Sequence, residues 1–308
     1  MNYNENSVQL SSLMKNTAPQ YVMSEVKKIF QYSYPGHLFS RVMSNFKTVV
    51  NLFDGKFKGY LACNTEYHNL GHTLDALLAS ARLIDGHNLS AGKMDPDLAV
   101  DLLLAALFHD SGYIQEEWDK TGTGAKYTKT HVERSIDFIR KNVSRLQMSE
   151  NEEITISNII ACTGMQLHLD DIVFSSKEEQ IAGAILGTAD LLGQMSDRCY
   201  LEKLLFLYSE FREAGIPGYE TEYDIIRKTA DFYAGTTNRL NKDLLGVSVY
   251  AKAYFYGRYG VDRNLYIEAI ERHMNYIQKI INDSTTNFRT KLKRNKSSYI
   301  APSAAAIS

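Results

Sequence analysis

The sequence of 308 residues has few cysteines and no long apolar run. Its three cysteines, Cys63, Cys162 and Cys199, lie far apart without C-x-x-C spacing, which argues against a disulfide framework and a thiolate zinc knuckle. No apolar stretch approaches the roughly 20 residues that cross a bilayer, and the N-terminus lacks the apolar segment of a signal peptide. These absences predict a cytoplasmic protein with no membrane partner.

The chain also lacks a dominant charge. It has 34 basic and 36 acidic residues and a formal charge of −2. This balance provides no overall electrostatic attraction to nucleic acid or to an anionic membrane surface. With 44% hydrophobic and 23% charged residues, the composition is that of a globular protein with a large core.

Apolar residues recur at helical spacing along most of the chain, and no alternation typical of a strand exceeds a few residues. We find no internal repeat and no dividing linker. The sequence therefore predicts an all-α protein, a compact multi-helix bundle with one domain at residues 19–284. Residues 1–18 are polar and residues 285–308 are basic and then rich in Ala and Ser, so both are expected to be flexible arms.

The stretch from Tyr67 to Tyr113 carries the candidate chemistry. A helix with its buried stripe from Leu74 is expected to end at Gly86, and Asp95 is a good start for the next helix. That second helix is apolar and ends in the pair His109-Asp110. A histidine and a carboxylate at a buried helix end cost several kcal/mol of desolvation unless a bound cation compensates them. The pair therefore predicts a metal site.

Three further residues extend this site. His68 and His72 are four residues apart, so on a regular helix both can face one ion. Asn69 stands where the zinc-peptidase motif H-E-x-x-H requires glutamate, which excludes that class. Asp190 lies in the middle of an apolar helix with no cationic partner at helical spacing, and a buried acid of this kind is usually paired or ligated.

These residues carry a family resemblance. The order H…HD…D, formed by His72, His109-Asp110 and Asp190, resembles the HD superfamily of metal-dependent phosphohydrolases. The segment Tyr67–Asp75 is similar to the Y-H-N-x-x-H-x-x-D signature of class I cyclic-nucleotide phosphodiesterase catalytic domains. The resemblance implies an HD-type helical fold and hydrolysis of a phosphoester, with a nucleotide or cyclic nucleotide as the expected substrate.

The resemblance also implies a role for each residue. The implied ligands of one divalent ion are His72, His109, Asp110 and Asp190. Asp110 would also bridge to a second ion and take part in catalysis through the water between the ions, and His68 would donate a proton to the leaving oxygen. The expected cofactors are one or two divalent ions, with Mn, Fe, Zn and Mg as candidates.

Four other residues complete the predicted site. Asn69 and Asp75 are expected to orient the histidines. Tyr113 stands where phosphodiesterases carry the last histidine of H-D-x-x-H, and is expected beside the ligands. His131, which opens the next predicted helix, is either a ligand of the second ion or a residue that caps its helix or orients a water.

Two other functions remain open from the sequence. One is a non-catalytic HD-fold module that binds a nucleotide in signalling, although the complete set of four ligands argues against it. The other is a nuclease-like enzyme that uses the basic C-terminal arm; a solvated arm is the simpler interpretation, so nucleic acid is not an expected partner. The basic residues of this arm are Arg289, Lys291, Lys293, Arg294 and Lys296.

Overall fold

The computed structural model describes residues 8–13, 17–37, 39–283 and 287–292. Within these ranges the predicted all-α class is confirmed, and the only β-type pairing is an isolated antiparallel bridge between Tyr60 and Glu116. The helices are α1 (Leu10–Leu13), α2 (Pro19–Ser33), α3 (Ser40–Phe53), α4 (Leu70–Ser90), α5 (Pro96–Phe108), α6 (His131–Leu146), α7 (Glu150–Ala161), α8 (Lys177–Ser196), α9 (Tyr200–Glu213), α10 (Glu222–Asn238), α11 (Val249–Tyr259), α12 (Leu265–Asn282) and α13 (Phe288–Leu292).

Helix α4 lies at the centre of the fold. It packs against α2, α5, α8 and α11, and most of its residues are buried. Because neighbours cover it on nearly all sides, it lacks the one-sided apolar stripe of a surface helix. Helix α5 is enclosed in the same way, since every residue from 99 to 108 is buried. Helices α4 and α5, which carry His72 and lead into His109-Asp110, therefore lie in the core of the fold.

The predicted end of α4 at Gly86 is wrong. The helix continues past this residue, which lies where α4 crosses α11. A Cβ atom at Gly86 would lie 1.8 Å from the carbonyl oxygen of Tyr250, so only glycine permits this approach of the two backbones. The predicted start of α5 is confirmed, because the Asp95 side chain accepts hydrogen bonds from the backbone N–H groups of Asp97 and Leu98.

Parts of both predicted arms are packed against the domain. Near the N-terminus, Val8 and Leu10 are buried, and α1 contacts α12. In the C-terminal arm, Leu292 is buried, and α13 also contacts α12. The arms expected to be flexible at residues 1–18 and 285–308 are therefore packed at residues 8–13 and 287–292, where these apolar side chains reach the hydrophobic core. Residues 1–7, 14–16, 285–286 and 293–308 lie outside the described residues.

The candidate site lies where three core helices meet. Helices α4, α5 and α8 pack against one another in all three pairs, and α9 packs against α8. In the described part of the chain, no helix is long and apolar enough to span a membrane.

Candidate metal centre

Asn69 fixes the start of α4 and, through it, the position of His72. The Asn69 Oδ1 atom accepts hydrogen bonds from the backbone N–H groups of Gly71 and His72, at 2.9 and 3.3 Å. This is the N-cap arrangement, in which a side-chain oxygen satisfies the free N–H groups of the first turn. Asn69 thus orients His72 through the helix backbone rather than through the imidazole.

His109 and Asp110 follow the last residue of α5. The apolar helix carries both into the interior, where their side chains are 1% and 2% exposed. The Nδ1 atom of His109 lies 2.9 Å from the carbonyl oxygen of Ala106. Because a carbonyl can only accept, this contact places a proton on Nδ1, so in the neutral ring the lone pair is on Nε2.

The structure brings the four predicted ligands to one point. The Nε2 atom of His72 lies 3.2 Å from Oδ2 of Asp110 and 3.0 Å from Oδ1 of Asp190. The Nε2 atom of His109 lies 3.3 Å from the same Asp110 oxygen and 3.6 Å from the same Asp190 oxygen. The two Nε2 atoms are 3.4 Å apart. Residues from α4, α8 and the end of α5 thus face one small volume.

The chemistry of this group fits a metal ion. The candidate ligand atoms of His72, His109 and Asp110 lie within 4.8 Å of one another, and all three residues are buried. Oδ2 of Asp110 is buried and faces the Nε2 atoms of both histidines, which cannot donate a hydrogen bond to it while those nitrogens are unprotonated. Imidazole nitrogens combined with carboxylate oxygens form a common donor set for divalent ions in catalytic sites. A cation would satisfy the Asp110 oxygen and both imidazoles.

The electrostatics of the centre also favour positive charge. Burial disfavours the charged form of His72, but hydrogen bonds to Asp110 and Asp190 outweigh it and raise the pKa of His72 to about 9. Burial likewise acts to raise the pKa of Asp110, but the neighbouring His109 and His72 hold it well below its usual range. Two enclosed carboxylates therefore require a positive partner, which a divalent ion can provide while the imidazoles remain neutral.

His131 faces the other oxygen of Asp110. It is the first residue of α6, and its Nδ1 atom lies 2.8 Å from the carbonyl oxygen of Thr128, so Nε2 is again the free nitrogen. That Nε2 atom lies 3.9 Å from Oδ1 of Asp110. Burial lowers the pKa of His131, with Asp110 opposing this effect and His68 reinforcing it. A neutral imidazole in this position is compatible with a second metal ion bridged by Asp110.

His68 lies beside the ligands rather than among them. Its four-residue spacing from His72 suggested a shared helical face, but α4 begins only after the cap at Asn69. The His68 ring centroid is 5.6 Å from that of His72. Its Nδ1 atom lies 2.6 Å from Oε2 of Glu210, and its Nε2 atom lies 3.5 Å from the hydroxyl of Tyr113. His68 thus has the environment of an oriented acid or base.

Glu210 is the residue that sequence reasoning missed. It belongs to α9 and is 4% exposed. One of the two signals that identified Asp190, the absence of a cation at helical spacing, also applies to Glu210, but α9 is not an apolar helix. Its neighbours three and four positions away are Phe206, Leu207, Glu213 and Ala214.

Tyr113 forms the middle of a stack of three rings. Its ring lies 4.3 Å from that of His68 with an interplanar angle of 10°, and 4.7 Å from that of His131 with an angle of 23°. Burial raises the pKa of Tyr113 well above its usual value, so its hydroxyl remains protonated. Tyr113 therefore fixes the planes of both histidines.

Asp75 is one turn from His72 on α4, but the charged groups that act on it most strongly are Asp197 and Lys203 rather than the site histidines. Burial raises the pKa of Asp75 to about 7, repulsion by Asp197 adds to this, and Lys203 opposes it more strongly than His72 does. The expected role of Asp75 in orienting the histidines thus has no direct contact to support it.

A family model described as Npun_R2479-like matches residues 116–253. The matched stretch includes His131, Asp190 and Glu210 and begins after the His109-Asp110 pair. No curated protein matches the chain. The similarity to this family therefore covers α6 to α10 and part of α11, which supply one side of the candidate centre.

Proposed function

We propose that this protein is a metal-dependent phosphohydrolase of the HD type that cleaves a small phosphoester, with nucleotides as the expected substrate class. The observation that carries the proposal is the convergence of His72, His109, Asp110 and Asp190 on one buried point. Their order along the chain is the one on which the HD resemblance depends.

The four residues would hold a divalent ion through the two Nε2 atoms and one oxygen of each carboxylate. A bound divalent ion supplies positive charge to the phosphoryl oxygens and makes a water molecule acidic enough to act as a nucleophile near neutral pH. Asp110 has a second oxygen directed toward His131, which supports a second ion in a bridged arrangement.

His68 is the proposed proton donor to the leaving oxygen. Glu210 accepts the hydrogen bond of the Nδ1–H group, so proton transfer is left to Nε2. Because the carboxylate fixes the tautomer and the orientation of the ring, the pair is suited to general acid catalysis.

The more exposed residues of the centre lie on the side of His68, which supports a substrate that enters from that side. The side chains of His68, Asp190 and His131 are 14%, 15% and 22% exposed, whereas those of His72 and Asp110 are 4% and 2% exposed. A phosphoester that approaches this edge meets the proton donor and the less enclosed ligands together.

Metal analysis of the purified protein combined with a substrate panel tests the proposal. The panel contains phosphomonoesters, phosphodiesters and cyclic nucleotides, each assayed with Mn²⁺, Zn²⁺, Mg²⁺ or EDTA. We expect hydrolysis of at least one class of phosphoester that disappears with EDTA and returns with metal.

The Asp110→Ala variant should lose this activity and retain its helical circular dichroism. Asp137→Ala, an exposed position on α6, is the matched control, and turnover that persists in metal-free protein would contradict the proposal.

The described part of the C-terminal arm gives little support to a nuclease-like function. Arg289 makes an ion pair with Glu222, and Lys291 makes one with Asp283. These cations are thus already engaged within the chain. Lys293, Arg294 and Lys296 lie outside the described residues.

A further inference from the structure

The tyrosine that precedes His68 makes a specific contact with α8. Tyr67 is 3% exposed, and its hydroxyl donates a hydrogen bond of 2.9 Å to Oε1 of Gln194. At its other end, the backbone N–H of Tyr67 donates to Oε1 of Glu210 at 2.7 Å. Tyr67 is therefore held at both ends and presents a fixed donor to Gln194.

Gln194 lies one turn after Asp190 on α8, and its Nε2 atom is 3.5 Å from Oδ1 of Asp190. Burial raises the pKa of Tyr67 well above its usual value, so its hydroxyl carries a proton and donates to the amide oxygen. The opposite orientation of the amide would place its oxygen against the Asp190 carboxylate. Both neighbours thus select the same orientation, in which the amide N–H group points at Asp190.

The oxygen that Gln194 faces is the one directed into the metal centre. Oδ1 of Asp190 lies 3.0 Å from Nε2 of His72 and 3.6 Å from Nε2 of His109. Asp190 is also the most exposed of the four predicted ligands, at 15%. Of these four side chains, it is the one most in need of an outside partner to fix its orientation.

We infer that Tyr67 and Gln194 position Asp190 as a ligand, and that this pair sets the affinity of the centre for a divalent cation. Residues that orient metal ligands through hydrogen bonds typically change metal affinity by about 10- to 100-fold when they are replaced. The inference rests on the proposed metal centre and adds a positioning role for Tyr67 and Gln194, to which the roles implied by the resemblance assign none.

Isothermal titration of metal-free protein with Mn²⁺ tests the inference through binding alone. Gln194→Met keeps the length of the side chain and removes its hydrogen bonds, and should weaken Mn²⁺ binding by about 10- to 100-fold. Tyr67→Phe removes one hydroxyl and should weaken binding by a smaller factor. Because both act through one hydrogen-bonded chain, the double variant should bind no more weakly than Gln194→Met.

Tyr208→Phe is the matched control. Tyr208 is a mostly buried tyrosine of α9, and its hydroxyl donates to the carbonyl oxygen of Glu220 at 3.0 Å. Its removal should leave Mn²⁺ affinity unchanged. Circular dichroism and thermal unfolding in EDTA identify any variant that fails to fold, and Tyr67→Phe, which keeps the buried ring, still tests the inference if Gln194→Met does not fold.

Three results would overturn the inference, in whole or in part. If wild-type protein binds Mn²⁺ and the folded Gln194→Met or Tyr67→Phe variants bind it equally well, the positioning role is wrong while the metal centre stands. If the wild-type protein itself binds no divalent cation, the metal centre fails, and the inference fails with it. Fully additive losses in the double variant would show that the two residues act separately.

Discussion

Oε2 of Glu210 lies 2.6 Å from Nδ1 of His68, across 142 residues of the chain. The other oxygen of the same carboxylate accepts hydrogen bonds from the backbone N–H groups of Tyr67 and His68, at 2.7 and 3.4 Å. One side chain of α9 therefore orients both the imidazole and the turn that carries it.

Replacement of Glu210 by glutamine should slow turnover without loss of metal. An amide has only one acceptor oxygen, so glutamine cannot hold both the His68 ring and the backbone N–H groups of the turn. We therefore expect kcat on esters with poor leaving groups to fall by about 10- to 100-fold. Glu213→Gln, one turn later on α9 where Glu213 bonds to Thr123, is the control. Mass spectrometry measures the metal content of each variant, and steady-state kinetics measures its kcat. Loss of metal in Glu210→Gln would indicate a structural role instead.

His68→Asn and His72→Asn should differ in their dependence on the leaving group. If His68 is the acid, its variant keeps its metal and loses about 10²- to 10⁴-fold in turnover of an alkyl ester, but little on a nitrophenyl ester that departs without a proton. His72→Asn should lose metal and activity on both esters. Equal losses on both esters together with lost metal in His68→Asn would make His68 a ligand.

Asp101 should make stability depend on pH. It lies buried on α5, and one of its carboxylate oxygens has no hydrogen-bond partner. Burial, reinforced by repulsion from Glu152, raises the pKa of Asp101 to about 7, compared with about 3.9 in an unfolded chain. Because the folded state binds this proton more tightly, the contribution of Asp101 to stability is present below about pH 4 and is lost as the pH rises through 7.

The Asp101→Asn variant should therefore gain stability relative to wild type as the pH rises from 4 to 8, by up to about 4 kcal/mol. Urea unfolding at several pH values measures this difference. Asp97→Asn, with an 81% exposed side chain near the start of the same helix, is the control for the loss of one negative charge. A difference between Asp101→Asn and wild type that stays constant with pH would contradict the raised pKa.

Gly86→Ala should destabilise the fold, because the added methyl group meets the backbone of α11 at Tyr250. Overpacking of this kind typically costs about 1–3 kcal/mol. Gly235→Ala is the control: this glycine lies inside α10 with no atom within 4 Å of the added Cβ, so the substitution should stabilise by up to about 1 kcal/mol. Denaturant unfolding should show changes of opposite sign in the free energy of unfolding of the two variants.

The sequence predicted those parts of the site that follow from local pattern. His109-Asp110 could be located because an apolar helix delivers a charged pair, and Asp190 because it lies among apolar neighbours. Each of these signals lies within a few residues of the side chain concerned. The all-α class was predictable for the same reason, since helical spacing is a local property.

Contacts between distant helices were not predictable in this way. Gly86 has the same local appearance as a helix stop, and only the position of Tyr250 on another helix explains why it lies inside α4. The role of Gln194 likewise depends on the hydroxyl of Tyr67. Its proximity to Asp190 on α8 was visible in the sequence, but the partner that orients its amide was not.

The order of the site residues along the chain has a consequence for synthesis. All four predicted ligands precede Glu210 in the chain, but α11, which packs against the central helix α4, follows it. Because a domain generally folds as a unit, the ligand set and the contact of His68 with Glu210 are expected to form together. A cation that binds the folded ligand set would stabilise it by mass action. Metal would then bind a chain in which His68 already has its partner Glu210.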